Sequence, residues 1–413
     1  MSVAAEATST VVVPKQKSGR GLLLVILGAL SAIGPLSIDM YLPALPAITS
    51  EMLSAPAQVQ LTLTACLIGV SVGQIIAGPV SDVRGRRVPL IVGVAGFMLA
   101  SLLCAFAPSV PMLIAFRLLQ GILGGAALVI VRAIVRDLYD GAAIARIFAT
   151  LMLVGGLAPI LAPIAGAQLL SFTSWRGVFV ALSLTGLVLL LAVLAGVRET
   201  LPAQQREAGG LKHTARTFWR LLRERAFMGY ALTGGLAFAA MFGYISGSPF
   251  VLQEVYGATP QQYSLIFALN AFGLVIAAQV GGRLSGRVSP VALVVTGLVA
   301  ALTGAGVLMA AALAGLGLQG IVGGLFVIML GQGLLLPSTG ALALASQPPQ
   351  VAGSASALLG VLQFALGALA APLVGLAGAG TAVPMAAVML GLIACSVATF
   401  AVLGRRPRSN EVR

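Results

Sequence analysis

Apolar segments of about 20 residues or more alternate with short polar stretches along most of the chain. A helix needs about 20 apolar residues to cross a bilayer. Twelve segments meet this length: 22–44, 57–80, 88–107, 112–134, 146–170, 177–197, 226–250, 261–281, 291–313, 317–340, 352–375 and 384–404. The polar stretch 198–225 separates the first six from the last six. The pattern predicts an all-α membrane protein with twelve transmembrane helices in two groups of six.

The composition supports this class. Of 413 residues, 59% are hydrophobic and only 8% are charged, whereas soluble domains carry about 25% charged residues. The 51 glycines fit as well, because small residues let membrane helices approach closely. The three cysteines all lie inside apolar segments, which argues against a disulfide framework. The first apolar segment is too long for the core of a signal peptide, so it is expected to remain as a helix.

The net charge is +13, and the distribution of the basic residues along the chain bears on function and on orientation in the membrane. The basic residues form short clusters between apolar segments and not one continuous patch, which argues against nucleic-acid binding. Lys and Arg accumulate in cytoplasmic segments of membrane proteins. The clusters therefore predict a cytoplasmic tail 1–21, a bundle 22–197, a cytoplasmic central loop 198–225, a second bundle 226–404 and a cytoplasmic tail 405–413. The expected location is the inner (cytoplasmic) membrane of a cell.

Two similar stretches hint that the halves are repeats. Ser54-Ala55-Pro56-Ala57-Gln58 leads into the second predicted span, and Ala258-Thr259-Pro260-Gln261-Gln262 leads into the eighth. Each places Pro early in a helix, where its missing N–H costs little. Paired halves are a common plan of transporters, with the substrate site near the midplane between them.

The central loop contains one amphipathic stretch. Its apolar residues recur at helical spacing and its basic residues occupy the other faces: Leu211, Ala215, Phe218 and Leu222 against Lys212, Arg216, Arg220 and Arg223. This pattern predicts a helix that lies on the inner membrane surface. A helix that docks a partner protein is the alternative. His213, the only histidine, lies here and is expected to be solvated.

Asp39 is the only acidic residue placed inside a predicted span. A charged side chain in the middle of a membrane helix costs roughly 2.5–3.5 kcal/mol, so such a residue usually faces the protein interior and has a function. Gly28, Ala32 and Pro35 share its helix face, which would allow close packing. The sequence predicts that Asp39 binds and releases a proton. The alternative is that Asp39, about 8 Å from the end of the span at Ala44, reaches bulk water.

Arg117 is a second charge at a similar depth, in the fourth predicted span. A buried guanidinium keeps its proton and therefore needs an acceptor or an anion. We expect Arg117 to tune the proton affinity of the Asp39 region, directly or through water. The alternative is a structural arginine bonded to neighbouring backbone carbonyls.

The turn between the second and third spans has a distinctive order of residues, Gly78-Pro79-Val80-Ser81-Asp82-Val83-Arg84-Gly85-Arg86-Arg87. Gly85 permits a tight turn, and Arg84, Arg86 and Arg87 mark the cytoplasmic face. Asp82 is expected to offset the positive N-terminal end of a facing helix, a contact of about 0.3–1 kcal/mol.

These residues carry a resemblance to the major facilitator superfamily. The 78–87 turn resembles its signature loop, and Leu113 to Ala127 resembles its fourth-helix motif. Ala158 to Gly166 is similar to the antiporter motif of its drug exporters. Further stretches resemble the Bcr/CflA drug-resistance family: Ile38 to Pro46, Arg136 to Tyr139, Trp175 to Phe179, Glu199 to Pro202 and Ala352 to Ser356.

The resemblance implies a twelve-helix exporter that exchanges protons for drugs such as bicyclomycin or chloramphenicol. It implies that Asp39 serves proton or substrate binding, that Arg117 takes part in coupling and that Asp82 helps to hold the inner gate. The family loop usually has Arg directly after its Asp, whereas Val83 stands here. The detailed contact of the gate is therefore open.

The fifth helix and the cavity complete the candidate machinery. Pro159 and Pro163 each remove a backbone donor and favour a bend, and with Gly166 they would let this helix pack closely against a partner. Polar and aromatic residues of facing helices are candidates for a substrate cavity: Gln60, Thr64, Ser71, Gln74, Phe242, Asn270, Gln332 and Gln363. Each could instead make an interhelical hydrogen bond. The second half offers no acid inside a predicted span, which disfavours a dicationic substrate.

Other functional classes fit less well. The chain has no Gly-x-x-x-x-Gly-Lys-Ser/Thr sequence, which argues against an ATP-driven pump. One intramembrane acid without an intramembrane His is too little for a membrane enzyme. A channel remains open, and so does an exporter of an amino acid, sugar or siderophore. The sequence thus predicts a monomeric transporter of small molecules and protons that needs no metal or cofactor.

Overall fold

The computed structural model describes residues 20–139, 142–206, 211–348, 351–376, 378 and 380–404. Within these ranges the chain is helical and contains no β-strand. The α-helices are α1 Arg20–Ser31, α2 Ile33–Asp39, α3 Leu45–Glu51, α4 Pro56–Arg84, α5 Arg87–Ala105, α6 Val110–Leu138, α7 Ala142–Leu170, α8 Trp175–Gly196, α9 Leu211–Arg223, α10 Arg225–Phe250, α11 Pro260–Leu284, α12 Pro290–Ala314, α13 Gly317–Ala345, α14 Ala352–Leu376 and α15 Val383–Leu403.

Twelve membrane-spanning segments are confirmed within the described residues. The first is built from α1, α2 and α3 together, and the seventh from α10 and a following π-helical turn, Val251–Val255. Each of the other ten is a single helix of the set α4–α8 and α11–α15. The predicted amphipathic helix of the central loop is α9, which is not a span. The predicted tails, 1–21 and 405–413, lie outside the described residues except for Arg20 and Gly21, which begin α1.

The first span is longer than the sequence predicts. It was expected to end at Ala44, but a short 3-10 turn, Leu42–Ala44, leads directly into α3 and the span ends at Glu51. Pro43 and Pro46 look like a helix end in the sequence, yet both occupy first-turn positions, where proline is tolerated. Asp39 is therefore twelve residues from the end of the span, about 18 Å at helical rise. This separation exceeds the roughly 8 Å that the sequence predicted.

The seventh span is also longer than predicted. It continues beyond residue 250 to Val255 and so includes Glu254, which the sequence analysis placed outside the membrane. The Glu254 side chain is exposed near the end of this span. Of the acidic residues Asp39 and Glu254, Asp39 is therefore the buried one.

The two stretches that suggested a repeat adopt the same local structure. Pro56 and Pro260 are the first residues of α4 and α11. In both helices a glutamine at the third position, Gln58 or Gln262, accepts a hydrogen bond from the backbone N–H of the residue before the proline. The glutamine satisfies a donor at each helix start, and in α11 the cap is reciprocal, because the Thr259 hydroxyl accepts from the Gln262 N–H.

Glycines bring the helices of each half into close contact. A Cβ on Gly121 of α6 would lie 2.2 Å from the Cys66 carbonyl oxygen of α4, and a Cβ on Gly331 of α13 would lie 2.6 Å from Ala301 N of α12. Close approach of two helices strengthens their van der Waals packing. This matters in a membrane, because lipid provides no hydrophobic driving force for helix association. Between the halves, α4 packs against α14 and α7 packs against α11.

Alternation of the spans defines two faces of the molecule. The central-loop face carries the turn at 85–86, the segments 197–206 and 211–224, and the first residues of α10. The opposite face carries Glu51 and the turns at 106–109 and 256–259. On the central-loop face, α9 packs against α10 and α14, with Leu221 fully buried and Trp219 exposed. A cavity of small-molecule size lies between these two faces.

Candidate functional site

A cavity of about 280 Å³ lies between the two halves at mid-depth. The first half contributes residues of α2, α4, α6 and α7, and the second half contributes residues of α10, α11, α13 and α14. Its walls are mainly aliphatic and aromatic, including Phe238, Phe242, Phe267 and Phe364. The size is close to the lower end of small-molecule sites, which are also mostly apolar with a few placed polar groups.

Asp39 is the only acidic or basic side chain among the described residues that line this cavity. It is the last residue of α2, and its residue surface is 5% exposed. No described residue donates a hydrogen bond to its carboxylate or forms an ion pair with it. A carboxyl group held among apolar walls without a fixed partner is costly to keep charged, so it favours exchange of a proton or of a positively polarised ligand.

Tyr244 lines the same cavity from the second half. Its hydroxyl oxygen accepts a 3.0 Å hydrogen bond from the Asn270 side-chain amide, and its ring stacks on Phe267 with centroids 5.3 Å apart. Asn270 was a predicted cavity residue, but it lies behind Tyr244. The sequence analysis missed Tyr244, because a tyrosine in an apolar helix carries no distinctive pattern.

Arg117 is fully buried in the first half. Its Nη1 donates to the backbone carbonyl of Ser37 at 2.8 Å and to Gln120 Oε1 at 2.5 Å. Its guanidinium lies over the Tyr41 ring, 4.9 Å from the centroid. It forms no ion pair with Asp39, so among the described residues its link to Asp39 runs through the backbone of α2.

The predicted fifth-helix motif lies on α7, beside α2. Pro159 lines the cavity, and Pro163 is buried in the same helix. Gly166 packs against the end of α2: an added Cβ would lie 2.0 Å from the carbonyl oxygen of Met40, the residue after Asp39. The motif therefore sets how closely α7 approaches the acid.

Among the residues predicted to line the cavity, Phe242 does line it. The polar candidates make other contacts. Gln60 and Thr64 bridge the halves, and Gln332 donates to the Ala237 carbonyl oxygen at 2.7 Å. Ser71 bonds its own helix, Gln74 faces Gly360 of α14, and Gln363 is half-buried on α14. Gln60, Thr64 and Gln332 thus hold helices together, which was the alternative the sequence left open.

Side-chain hydrogen bonds join the halves near the opposite face. Gln60 donates to the Ser246 carbonyl oxygen at 3.0 Å, and Thr64 donates to that of Ala368 at 3.0 Å. Two more run from Gln261 to Ala167 and from Gln253 to Pro43, at 3.1 and 3.4 Å. The cavity is thus closed toward the opposite face in this conformation.

The glycine–arginine turn is organised around Arg86. This side chain is largely buried, and it bonds Asp82 at 2.5 Å, Asp137 at 2.9 Å and Ser81 at 2.8 Å. Among the described residues, the Asp82 carboxylate pairs with Arg86 of its own turn, and the expected contact of Asp82 with the N-terminal end of a facing helix stays a prediction. Sequence reasoning missed Asp137, which lies 51 residues further along the chain.

The other predicted residues of the 78–87 turn make fewer contacts. Gly78 lies in the last turns of α4, and its carbonyl accepts a hydrogen bond from Ser81. Arg84 ends the helix and is exposed. Arg87 donates to the Leu194 carbonyl oxygen at 3.2 Å. Gly85 has φ +88°, a conformation that favours glycine.

Glu199, in the segment after α8, closes over this turn. Its carboxylate accepts hydrogen bonds from the backbone N–H groups of Arg86 and Arg87, at the start of α5, and from those of Thr200 and Leu201. Burial alone would raise the pKa of Glu199, but these four donors outweigh it and hold the pKa below its ordinary value of 4.5. Sequence reasoning assigned Glu199 no role.

A metal site is not formed by the described residues: no group of three or more His, Cys, Asp or Glu side chains among them could hold an ion.

Comparisons with known proteins agree with this architecture. The sequence profile of the Major Facilitator Superfamily matches residues 27–372. A Bacillus subtilis relative, described as the uncharacterized MFS-type transporter YdgK, is 40% identical over 392 residues, which cover 94% of this chain and 97% of the relative. A Haemophilus influenzae relative, described as a bicyclomycin resistance protein homolog, is 29% identical over 391 residues, which cover 95% and 98%.

Solved structures share the fold. One is a bacterial homologue of the human lysosomal transporter Spinster, crystallised in an inward-facing and unoccupied conformation. It aligns with a TM-score of 0.72 at 16% identity, and the alignment covers 94% of this chain and 96% of that one. At this identity the likeness concerns the arrangement of helices.

Proposed function

Because the chain belongs to the major facilitator superfamily, we propose that it exports small drug-like molecules across the cytoplasmic membrane in exchange for protons. The observation that carries the proposal is a single buried carboxylate, Asp39, in an otherwise apolar cavity between the two halves. The resemblance to the Bcr/CflA drug-resistance family and the relative described as a bicyclomycin resistance protein homolog support the substrate class.

The exchange follows from the chemistry of one carboxyl group. Asp39 can hold a proton or interact with the substrate, and a charged, unpaired state in apolar surroundings is costly. Proton and substrate therefore compete for the same site. Antiport results when the site faces one side of the membrane with a proton and the other side with the substrate.

The walls favour a drug-like molecule over a polar metabolite. A sugar or an amino acid needs several hydrogen-bonding groups to replace its water, because unpaired polar groups are costly to bury. The described lining offers few, whereas Phe238, Phe242 and Phe364 present aromatic surface. An amphiphilic aromatic molecule is the better match.

In the proposed cycle, the four hydrogen bonds near the opposite face break when the halves rock apart there. The hydrogen bonds of Arg86 to Ser81, Asp82 and Asp137, together with Glu199, keep the central-loop side of the first half rigid during this movement. The central-loop face is cytoplasmic, in keeping with its arginines. The protein acts as a monomer without a cofactor.

Inside-out membrane vesicles test the proposal directly. A respiration-driven proton gradient is followed with a quenched acridine dye, and chloramphenicol, ethidium and bicyclomycin are added in turn. An antiporter dissipates the gradient when a substrate is added. We expect Asp39→Asn to abolish this response, whereas the exposed carboxylate variant Glu224→Gln should respond like the wild type.

Two outcomes would contradict the proposal. If none of the three compounds dissipates the gradient in vesicles that contain folded wild-type protein, drug–proton exchange is wrong. If Asp39→Asn still supports efflux against a concentration gradient, the carboxylate is not the coupling group. Equal amounts of each variant in the membrane, measured by immunoblot, are required for either conclusion.

A further inference from the structure

Besides Asp39, a second polar residue lines the cavity. Tyr244 of α10 and Asn270 of α11 form a pair in the second half, joined by the 3.0 Å hydrogen bond from the Asn270 amide to the phenol oxygen. Tyr244 is 2% exposed and Asn270 is fully buried. Asp39 lies in the same cavity but belongs to the first half. The cavity therefore has one polar group on each moving half.

The pair has hydrogen-bonding capacity that the protein does not use. Asn270 donates to the phenol oxygen, so the hydroxyl hydrogen of Tyr244 remains available as a donor. No described residue accepts a hydrogen bond from this hydroxyl. The Asn270 Oδ1 atom is also buried without a partner. Unmet donors and acceptors inside a protein carry a desolvation penalty, and a ligand that satisfies one gains affinity.

The phenol is held in place by its neighbours. Its ring stacks on Phe267 with an interplanar angle of 14°, and the Asn270 amide fixes the position of its oxygen. A donor whose position is set before binding loses little entropy when it binds a ligand. Tyr244 is thus suited to select among ligands and not only to fill space.

An aromatic wall lies in the same half. Phe238 contacts Phe242 with centroids 5.1 Å apart, and it meets Phe364 edge-on at 5.5 Å. All three line the cavity. Rings arranged in this way bind the faces and edges of an aromatic ligand.

We propose that Tyr244, positioned by Asn270, donates a hydrogen bond to an oxygen acceptor of the transported molecule, while Asp39 receives its donor or cationic group. The substrate class is then a neutral or singly cationic aromatic molecule that bears a carbonyl or hydroxyl oxygen. Anionic molecules are excluded, because the described lining offers no cation to pair with them. This inference rests on the proposed function.

Equilibrium binding to the purified full chain in lipid nanodiscs separates the two polar groups. Chloramphenicol, a neutral aromatic molecule with oxygen acceptors, probes Tyr244. Tetraphenylphosphonium, an aromatic cation without any hydrogen-bonding group, probes Asp39 and the aromatic wall alone. We expect Tyr244→Phe to weaken chloramphenicol binding about 3- to 10-fold, the usual effect of one lost hydrogen bond, and to leave tetraphenylphosphonium binding unchanged.

Tyr263→Phe is the matched control. Tyr263 is fully buried, also contacts Phe267, and bonds Ser248 through its hydroxyl, but it does not line the cavity. Its loss should affect neither probe. Asn270→Leu, which releases the phenol, should weaken chloramphenicol binding selectively, as Tyr244→Phe does. A merely structural role of Asn270 would weaken the binding of both probes alike.

Each other outcome has a definite meaning. Unchanged chloramphenicol affinity of Tyr244→Phe, or equal losses for both probes, overturns the inference and leaves the proposed function standing. Wild-type protein that binds tetraphenylphosphonium but not chloramphenicol also overturns the inference and leaves the proposed function standing. Wild-type protein that binds neither probe overturns the proposed function, and the inference falls with it.

Discussion

Arg117 donates a 2.8 Å hydrogen bond to the backbone carbonyl of Ser37, two residues before Asp39 on the same helix. The guanidinium thus contacts the helix that carries the acid and not the acid itself. Two of its nitrogens, Nε and Nη2, are buried without a partner among the described residues. A buried guanidinium bonded to the backbone of α2 fixes the position of this helix and of the carboxylate that the helix carries.

Removal of this charge should uncouple transport without abolishing binding. We expect Arg117→Gln to reduce proton-driven efflux at least about tenfold, a loss of about 1.4 kcal/mol, because α2 loses the hydrogen bond that positions Asp39 in the cavity. Tetraphenylphosphonium binding should persist, since Asp39 remains. The measurement is vesicle efflux over a series of pH values. Arg283→Gln, an exposed arginine at the end of α11, is the control. An unchanged pH profile of Arg117→Gln efflux would refute its role.

Gly166 should tolerate no side chain. An added Cβ would lie 2.0 Å from the Met40 carbonyl oxygen, so α7 or the end of α2 must move. Overpacking of this kind costs about 1–3 kcal/mol. We expect Gly166→Ala to lower the thermal unfolding midpoint of the purified protein by several degrees and to impair efflux. Gly306→Ala, where an added Cβ meets nothing, is the control. Equal midpoints for the two variants would show that the close contact is unimportant.

The sequence predicts the fold well because the membrane imposes a strict rule. A span must be a helix with about 20 apolar residues, so α12 was expected at 291–313 and is found at Pro290–Ala314. The predicted end of the first span is wrong. Pro43 and Pro46 suggested an end, but the chain turns briefly and continues to Glu51.

The candidate site was predictable only where a residue is chemically conspicuous. Asp39 stands out as an acid in an apolar segment, and the structure places it in the cavity. Tyr244 does not stand out from other tyrosines, and only its contacts with Asn270 and the cavity single it out. Glu199 lies 113 residues from Arg86, and no sequence period links residues so far apart.

Glu199 should make stability depend on pH in the acidic range. Its pKa is lower in the folded protein than its ordinary value of 4.5, so its stabilising effect is fully present above pH 4.5. The effect is lost as the pH falls through the lowered pKa. Glu199→Gln should therefore destabilise the protein at pH 7, by about 1 kcal/mol given its partial exposure, and have little effect at the acidic end.

Thermal unfolding of the Glu199→Gln and wild-type proteins between pH 3 and pH 7 checks this. Their midpoints should differ at pH 7 and converge at low pH. Glu224→Gln, which changes an exposed carboxylate on the same face, should follow the wild type throughout. A difference between Glu199→Gln and the wild type that grows as the pH falls has the wrong sign and would contradict the capping role of Glu199.

The contact between Thr64 and Ala368 should open during transport. The Thr64 hydroxyl donates to the Ala368 carbonyl oxygen at 3.0 Å, which joins α4 to α14 near the opposite face. We expect a protein with Thr64→Cys, Ala368→Cys and the exposed Cys395→Ser to lose most of its efflux, about tenfold or more, when a short bis-methanethiosulfonate reagent links the pair through two disulfide bonds and releases methanesulfinate. Reduction with dithiothreitol should restore efflux. The same protein without reagent, and each single cysteine variant with reagent, provide the baseline. Undiminished efflux after complete cross-linking, shown by mass spectrometry, would mean that the halves do not separate at this contact.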